Sequence, residues 1–568
     1  MDLPVMFLLL LICCLIAAVW SCPNGCQCAG TKVHCNNLSD FPTNVPSSTT
    51  HIYFLKCSFN SIKHEDLTDF SDTLEQLVVS NTVLREVHPG TFNSTLNITM
   101  VGITETELQD LPEMLFQRLQ KLESLILRMN KLFAIQPSWF SQSKELKQLD
   151  LSKNQITYVP VETFHALTKL QYLSIAGNTV TQLFSETFKG LSGLKILRLN
   201  KNLLKELPAG ILDDLVNLEE LSLQDNLITD LHHDVFSKTP KLQKLFISNN
   251  RLTSLPHGIL LNLPLLSQIS LYENNLESLG PGVFGPMALQ QLWLYDNKLS
   301  RVNDDTFRNL TQLRLLVLSR NQISYVSDEA FRGLTRLGEV SLHTNRLTTL
   351  QARTFEELPS LVNISLENNL IASLPLGFLK GLNNLGEIDL RNNSLPNLQQ
   401  DSLDVFTIAK DVLLQQNPWR CDKDIVPLRN WLKQHPSKVN QTLVVCETPF
   451  SLKGEMIAML TDENLVPVSP TKEPVLTSTE KRSRPHTHPP KQSTPSSAIT
   501  TTLASQRENV TNSGQGGVKE TSNSSDILIA LAVVSTVIIS SVIIGCACWK
   551  RNRRGNENIS QRNRNSVL

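Results

Sequence analysis

The chain has 568 residues, more than one ordinary hydrophobic core organises, so the sequence predicts several domains or one repeat array. Lys and Arg number 52 against 53 Asp and Glu, and this near-neutral balance excludes the basic surface expected of a nucleic-acid binder. Hydrophobic residues make up 41% of the chain, which excludes disorder throughout.

Apolar segments at both ends predict a protein addressed to a membrane. Residues 1–21 are typical of a secretory signal peptide. Residues 527–549 contain no charged side chain and, at 1.5 Å per residue, would extend about 34 Å as one transmembrane helix. Lys550 and Arg551 follow directly, so residues 550–568 are predicted to be a cytoplasmic tail. The expected location is therefore the plasma membrane, as a single-pass type I protein with its N-terminus outside.

A stalk and two tail motifs complete this membrane-proximal part. Residues 469–526 are rich in Ser, Thr and Pro, which predicts an extended, O-glycosylated stalk. Cys546 and Cys548 are candidates for S-acylation, with packing inside the membrane as the alternative. The C-terminal residues, which suit strand addition into a cytoplasmic PDZ protein, are Ser566, Val567 and Leu568.

A repeat of the form L-x-x-L-x-L-x-x-N-x-L occupies the middle of the chain, as between Leu146 and Ile156. Its asparagine recurs every 24 residues, except for one step of 23, at Asn130, Asn154, Asn178, Asn202, Asn226, Asn250, Asn274, Asn297, Asn321, Asn345, Asn369, Asn393 and Asn417. Thr106 and Thr82 continue this ladder upstream, and Asn60 is its candidate first member. The pattern predicts an α/β leucine-rich repeat solenoid over residues 51–416, a horseshoe with a concave parallel β-sheet and convex loops or short helices.

A second apolar column follows ten residues after each ladder position. Its members are Phe92, Phe116, Phe140, Phe164, Phe188, Leu212, Phe236, Leu260, Phe284, Phe307, Phe331 and Phe355. We expect them to form a buried spine behind the sheet.

Cysteines flank the repeats and predict disulfide-bonded caps at both ends. The N-terminal cap, residues 22–50, contains Cys22, Cys26, Cys28 and Cys35, and spacing alone leaves three pairings open. The C-terminal cap, residues 417–468, contains Cys421 and Cys446, which are predicted to form one bridge. Cys57 falls at an inward position of the repeat pattern and is predicted to be a buried free thiol.

Motif positions 2, 3, 5, 7 and 8 are predicted to face the concave side. They present charged side chains at Lys195, Arg198, Lys201, Glu219, Glu220 and Asp225, followed by Phe246, Tyr272, Trp293, Tyr295 and Asp296. Four aromatic residues on neighbouring repeats favour a protein-binding site. The predicted ligand-binding residues are Arg198, Phe246, Tyr272, Trp293, Tyr295 and Asp296. The alternative is that single exposed aromatic residues are ordinary on any surface.

N-glycosylation sequons predict which surfaces carry glycans. They occur at Asn37, Asn93, Asn97, Asn309, Asn363, Asn392, Asn440, Asn509 and Asn523. Because Asn363 and Asn392 fall at concave positions, glycans there would direct a partner toward the middle repeats.

No pattern for an enzyme was found, and neither a cofactor nor a metal is expected. The chain has no phosphate-binding glycine loop, zinc-binding histidine helix or nucleophile elbow. His343 lies at a concave position and is interpreted as a solvent-exposed histidine rather than a catalytic one.

The repeats and caps resemble the extracellular leucine-rich repeat superfamily. Stretches that are closer to one cell-surface member are residues 285–287, 292–297, 318–324, 341–345, 417–422 and 427–432. The resemblance implies a cell-surface protein that binds matrix proteins such as collagen, fibronectin or laminin and influences adhesion and migration. Two alternatives stay open: a co-receptor that captures a soluble ligand, and a regulatory subunit of a secreted enzyme.

Overall fold

The computed structural model describes residues 22–465. Within this range, no helix is both long and apolar enough to cross a membrane. Predictions that lie outside the described residues concern the segments 1–21, 469–526, 527–549 and 550–568, with Asn509, Asn523, Cys546, Cys548, Ser566, Val567 and Leu568.

One sheet of 18 strands runs through the described chain. Its strands are Cys26–Ala29, Lys32–Asn36, His51–Leu55, Gln76–Ser80, Met100–Thr104, Ser124–Ile126, Gln148–Asp150, Tyr172–Ser174, Ile196–Arg198, Glu220–Ser222, Lys244–Phe246, Gln268–Ser270, Gln291–Trp293, Leu315–Val317, Glu339–Ser341, Asn363–Ser365, Glu387–Asp389 and Asp411–Leu413. The first two strands pair antiparallel, and from Lys32–Asn36 onward each strand pairs parallel with the next. The register places equivalent repeat positions side by side, as for Leu173 and Leu197. The solenoid with a parallel sheet is thus confirmed.

The ladder asparagines explain why adjacent coils stack. Asn178 donates to the carbonyls of Leu151 at 3.1 Å and Ile175 at 2.9 Å, while its Oδ1 accepts from the Ile156 backbone N–H at 3.0 Å. One side chain therefore satisfies backbone groups of two coils that would otherwise be buried without partners. The same pattern continues to Asn417.

The predicted spine is buried and continuous behind the sheet. Phe164 lies between Phe140 and Phe188, with ring centroids 6.4 Å and 6.2 Å away. Phe331 lies in the same way between Phe307 and Phe355. Because every member of the predicted column is at most 2% exposed, the aromatic residues act as core.

Turns and short helices connect the strands. The α-helices are Gln400–Phe406 and Val426–Gln434, and the 3-10 helices are Glu65–Phe70, Pro137–Trp139, Val161–Phe164, Lys423–Ile425, Gln441–Leu443, Phe450–Leu452, Ile457–Met459 and Glu463–Leu465. Two small parallel pairs lie outside the main sheet, Ser61–Ile62 with Glu86–Val87 and Arg301–Val302 with Tyr325–Val326.

The caps contain three disulfides. Cys22 pairs with Cys28 and Cys26 pairs with Cys35, so the structure selects one of the three open pairings. Its physical reason is the antiparallel hairpin, which places Cys26 directly opposite Cys35. The bridge predicted in the C-terminal cap, Cys421–Cys446, is present.

Cys57 is a buried free thiol, as predicted. The structure corrects the start of the ladder, however, because Cys57 rather than Asn60 occupies the first ladder position. Strand pairing aligns Ile52 with Leu77, and five residues further along each chain this register matches Cys57 with Thr82. Asn60 is exposed and takes no part.

The single 23-residue step coincides with a close backbone approach. Gly285 lies between Asn274 and Asn297, and a Cβ on it would be 2.8 Å from both the Cα and the carbonyl oxygen of Leu261. Only glycine fits this distance without displacing backbone. The shorter repeat therefore packs against its predecessor through a residue that has no side chain.

Candidate functional site

We call the solvent-facing side of the main sheet, opposite the phenylalanine spine, the sheet face. All six residues selected from the sequence are half-buried and belong to repeats on this face. Arg198, Phe246 and Trp293 end their strands at motif position 5, whereas Tyr272 and Tyr295 lie at position 7 and Asp296 at position 8. The register brings the aromatic members together on three consecutive repeats.

We call Phe246, Tyr272, Trp293 and Tyr295 the aromatic group, and two of its members are stacked. The rings of Tyr272 and Tyr295 are nearly parallel, 6° apart, with centroids separated by 4.6 Å. Phe246 and Trp293 both pair with Ser270, one from each side, so a small residue separates two large ones. Burial raises the pKa of the Tyr295 hydroxyl, and the neighbouring Tyr272 adds to this effect. The Tyr295 hydroxyl therefore remains a neutral donor and acceptor at physiological pH.

Arg198 is held by a network on the N-terminal side of this group. Its guanidinium lies 5.5 Å from the ring centroid of Tyr172 and 2.9 Å from the Glu220 carboxylate. Glu220 also lies 3.5 Å from the ammonium of Lys244. Arg198 is therefore positioned from two sides, by a ring and by a carboxylate.

Three carboxylates lie at motif position 8, Asp225, Glu273 and Asp296, and we call them the acidic row. Asn249 occupies the same position between the first two and donates to Asp225 at 2.7 Å. Burial raises the pKa of Glu273, with Asp296 and Asp225 contributing by charge repulsion. In the described chain Asp296 pairs with Arg320 at 2.8 Å, whereas neither Asp225 nor Glu273 has an ion pair. The row therefore favours a cationic group at Glu273.

The last repeats contradict the prediction of an exposed His343. Its residue is only 7% exposed, because position 7 of this strand lies among neighbouring side chains of the sheet face. Burial lowers the pKa of His343 to about 4, and Asp389 opposes that effect. The ring therefore stays neutral at physiological pH, with Nδ1 3.0 Å from Thr344 Oγ1.

A second charged network lies next to His343. Arg391 contacts the buried Asp389 carboxylate at 2.7 Å and Glu367 at 3.2 Å. Burial, followed by repulsion from Asp389, raises the pKa of Glu387 to about 7. This part of the sheet face is acidic and is joined by its own ion pairs.

The sequons within the described chain differ in exposure. Exposed asparagines are Asn37, Asn93, Asn309, Asn392 and Asn440, whereas Asn97 and Asn363 are half-buried. Asn363 begins its strand on the sheet face, and Asn392 precedes a ladder asparagine. Both therefore lie beside the second charged network, that of Arg391, and away from the aromatic group.

Among the described residues, one group brings three possible metal ligands together. His232, His233 and Asp234 are all exposed, and their ligand atoms lie within 4.8 Å of one another. His232 contacts Asp234, and this contact lowers the pKa of the carboxyl. Two imidazoles and a carboxylate form a donor set that Zn²⁺ accepts. The group follows Leu231 in a connecting turn and does not join the sheet face.

The sequence reading missed several partners of the selected residues. Tyr172 stacks on Arg198 and Arg320 pairs with Asp296, and both lie at motif positions that were assigned to the same face. Tyr172 lies at motif position 3, and Glu273 and Arg320 lie at position 8. The repeat pattern therefore contains the signal that places these three residues on the same face.

Comparison with known proteins agrees with this geometry. Seven overlapping segments, together spanning residues 120–395, match the family model described as Leucine rich repeat. Residues 120–395 of the chain are therefore similar to leucine-rich repeats.

Individual relatives match over short stretches. Human leucine-rich repeat-containing protein 15 is 42% identical over 52 residues, which are 9% of this chain and 9% of that protein. The human platelet glycoprotein Ib beta chain is 35% identical over 63 residues, 11% of this chain and 31% of that protein. In both cases the match spans less than a third of the relative's length.

A solved structure extends the likeness of fold. Drosophila Toll in its complex with Spatzle is similar with a TM-score of 0.57 and 22% identity, over 76% of this chain and 71% of that one. This similarity concerns the solenoid fold.

Proposed function

We propose that this protein is a single-pass cell-surface receptor or adhesion protein that binds extracellular-matrix proteins through the sheet face of its middle repeats. The observation that carries the proposal is the aromatic group of Phe246, Tyr272, Trp293 and Tyr295 on one side of a rigid sheet. Half-buried aromatic residues with a charged surround are typical anchors of protein interfaces. The role is binding rather than catalysis.

Two further features support the proposed ligand class and the proposed position of the binding site. The stretches that resemble leucine-rich repeat-containing protein 15 favour collagen, fibronectin or laminin as ligands and an influence on adhesion and migration. Glycans at Asn363 and Asn392 would cover the C-terminal repeats and leave the aromatic group free. The apolar segment 527–549 would anchor the chain in the plasma membrane, and Ser566, Val567 and Leu568 would recruit a PDZ protein.

Binding of the purified full chain to immobilised collagen, fibronectin and laminin tests this function. The Trp293→Ala/Tyr295→Ala variant is expected to bind at least tenfold more weakly, about 1.4 kcal/mol, because both anchors are lost. Tyr325→Ala is the matched control, since Tyr325 is an exposed aromatic residue of a small strand pair outside the main sheet.

The outcomes separate function from site. Saturable binding that the double substitution does not weaken would place the interface elsewhere on the protein. Absence of binding to all three matrix proteins would contradict the proposal and favour a co-receptor for a soluble ligand.

A further inference from the structure

The turn that carries His232, His233 and Asp234, which we call the histidine turn, is fixed by its neighbours in the chain. Leu231 before it is 6% exposed and Val235 after it is 2% exposed, so both side chains belong to the core. The Val235 backbone N–H donates to the His232 carbonyl at 3.1 Å and closes the turn. The three polar side chains therefore project from a short segment whose backbone is held in place by the core.

The two adjacent repeats form an equivalent turn without this set of side chains. In the preceding repeat the equivalent residues are Pro-Ala-Gly at 208–210, and the Ile211 backbone N–H donates to the Pro208 carbonyl at 3.3 Å. In the following repeat they are Pro-His-Gly at 256–258, and the corresponding bond measures 3.2 Å. Because the turn closes with proline and glycine at its ends, its fold does not require two imidazoles and a carboxylate.

The side chains of the histidine turn lie close to the geometry of a zinc site. Two ligand atoms at about 2.0–2.1 Å from one tetrahedral Zn²⁺ are about 3.4 Å apart. The ligand atoms of the turn lie within 4.8 Å of one another, so each pair would approach by about 1.4 Å at most. The His232 and Asp234 side chains are already in contact and are 42% and 51% exposed. Rotation about side-chain bonds can therefore close the distance without moving the backbone.

The donor atoms of the turn select the kind of metal. Ca²⁺ and Mg²⁺ take oxygen ligands, whereas imidazole suits Zn²⁺ and Cu²⁺. Cu²⁺ favours a square-planar arrangement, but Zn²⁺ accepts two imidazoles and a carboxylate as three corners of a tetrahedron. Adjacent histidines in a turn do not match the helical zinc motif, so no metal was predicted from the sequence.

We infer that the histidine turn binds one Zn²⁺ ion through His232, His233 and Asp234. All three ligands are exposed, so the fourth coordination position is open to solvent. The turn does not join the sheet face, and the inference is therefore independent of the proposed function.

Isothermal titration calorimetry of the purified full chain with ZnCl₂, in the absence of a histidine tag, tests the inference. We expect one saturable site that CaCl₂ and MgCl₂ do not occupy. His233→Ala introduces the alanine of the preceding repeat and is expected to weaken zinc binding at least tenfold, as is Asp234→Asn. His257→Gln is the matched control, because His257 is the equivalent histidine of the following repeat and lies beside Gly282. It is expected to leave zinc binding unchanged.

Two further measurements assign the ion to this turn. His486 and His488 are a second pair of closely spaced histidines, outside the described residues, and His486→Gln/His488→Gln is expected to keep the zinc affinity. X-ray absorption of the zinc-loaded protein is expected to show two imidazole nitrogens at about 2.0–2.1 Å from the ion. An unchanged circular dichroism spectrum of each variant confirms that the solenoid is intact.

Three results would overturn the inference. Zinc affinity that survives both His233→Ala and Asp234→Asn would place the ion elsewhere. Loss of binding in His486→Gln/His488→Gln would assign the ion to that pair. Absence of saturable zinc binding, or saturable binding of Cu²⁺ alone, would reject the site. None of these results affects the proposed function, whose test is matrix binding through the sheet face.

Discussion

At the scale of single residues, the ladder position shows how side-chain chemistry and backbone pairing substitute for each other. From Asn130 onward an asparagine donates to two carbonyls. Thr106 accepts only locally, from the Leu108 backbone N–H at 3.2 Å, and donates to Asn130. The strands that precede Cys57, Thr82 and Thr106 have five residues, whereas those that precede asparagines have three. Longer strand pairing thus satisfies backbone groups where asparagine is missing.

His343 predicts a pH dependence of stability. Its folded pKa of about 4 lies below the ordinary value of 6.5, so the unfolded state binds more protons between these values. The contribution of His343 to the free energy of unfolding is therefore fully present above pH 6.5. It decreases as the pH falls toward 4, by on the order of 3 kcal/mol. In urea unfolding, His343→Gln is expected to lose less free energy of unfolding between pH 7 and pH 4.5 than the unsubstituted protein does. His257 is exposed, so His257→Gln is expected to leave this difference unchanged.

Glu387 acts in the opposite direction and must be separated from this effect. Its folded pKa of about 7 is raised, so the folded state binds more protons between about 4.5 and 7 and stability falls as the pH rises through that window. If the acid loss persisted unchanged in His343→Gln, a different buried group would have to cause it.

At the scale of one element, the 23-residue repeat depends on Gly285. An added methyl group would meet the backbone of Leu261, which cannot rotate away as a side chain can. Gly285→Ala is expected to destabilise the protein by about 1–3 kcal/mol, measured as the change in free energy of unfolding in urea. Gly280→Ala in the same repeat is the control, since nothing lies within 4 Å of its added Cβ. Equal effects of the two substitutions would contradict the close-packing account.

The repeat elements were predictable because the sequence period equals the structural period. A step of 24 residues fixes which leucines are neighbours in the sheet, and the strand register and spine followed from it. The disulfide pairing did not follow, because it depends on the hairpin between Cys26–Ala29 and Lys32–Asn36. The burial of His343 and the Tyr272–Tyr295 stack did not follow either, because contacts between side chains of one face depend on rotamers rather than on period.

At the scale of the whole molecule, the caps close a core that each repeat shares only with its neighbours. The Cys421–Cys446 bridge closes a separation of 25 residues over the C-terminal end of that core. Cys421→Ala/Cys446→Ala is expected to lower the free energy of unfolding by about 3 kcal/mol through the loop entropy regained by the unfolded chain.

A second bridge gives the comparison. Cys22→Ala/Cys28→Ala removes a bridge across six residues and is expected to cost less, about 2 kcal/mol. Chemical denaturation of both variants measures the difference, and a larger loss for the shorter loop would rule out loop entropy as the main cause.

The residue before each ladder position has a positive φ, as at Lys201 (57°), Asp225 (61°), Glu273 (53°) and Asp296 (53°), yet glycine occupies this place only at Gly177 among the repeats from Asn130 to Asn417. A left-handed conformation costs a side-chain-bearing residue on the order of 1 kcal/mol relative to glycine. Glu273→Gly is thus expected to raise the free energy of unfolding and to remove a carboxylate from the sheet face. If the sheet face binds its ligand as proposed, substitutions at this position that raise thermostability are expected to weaken binding.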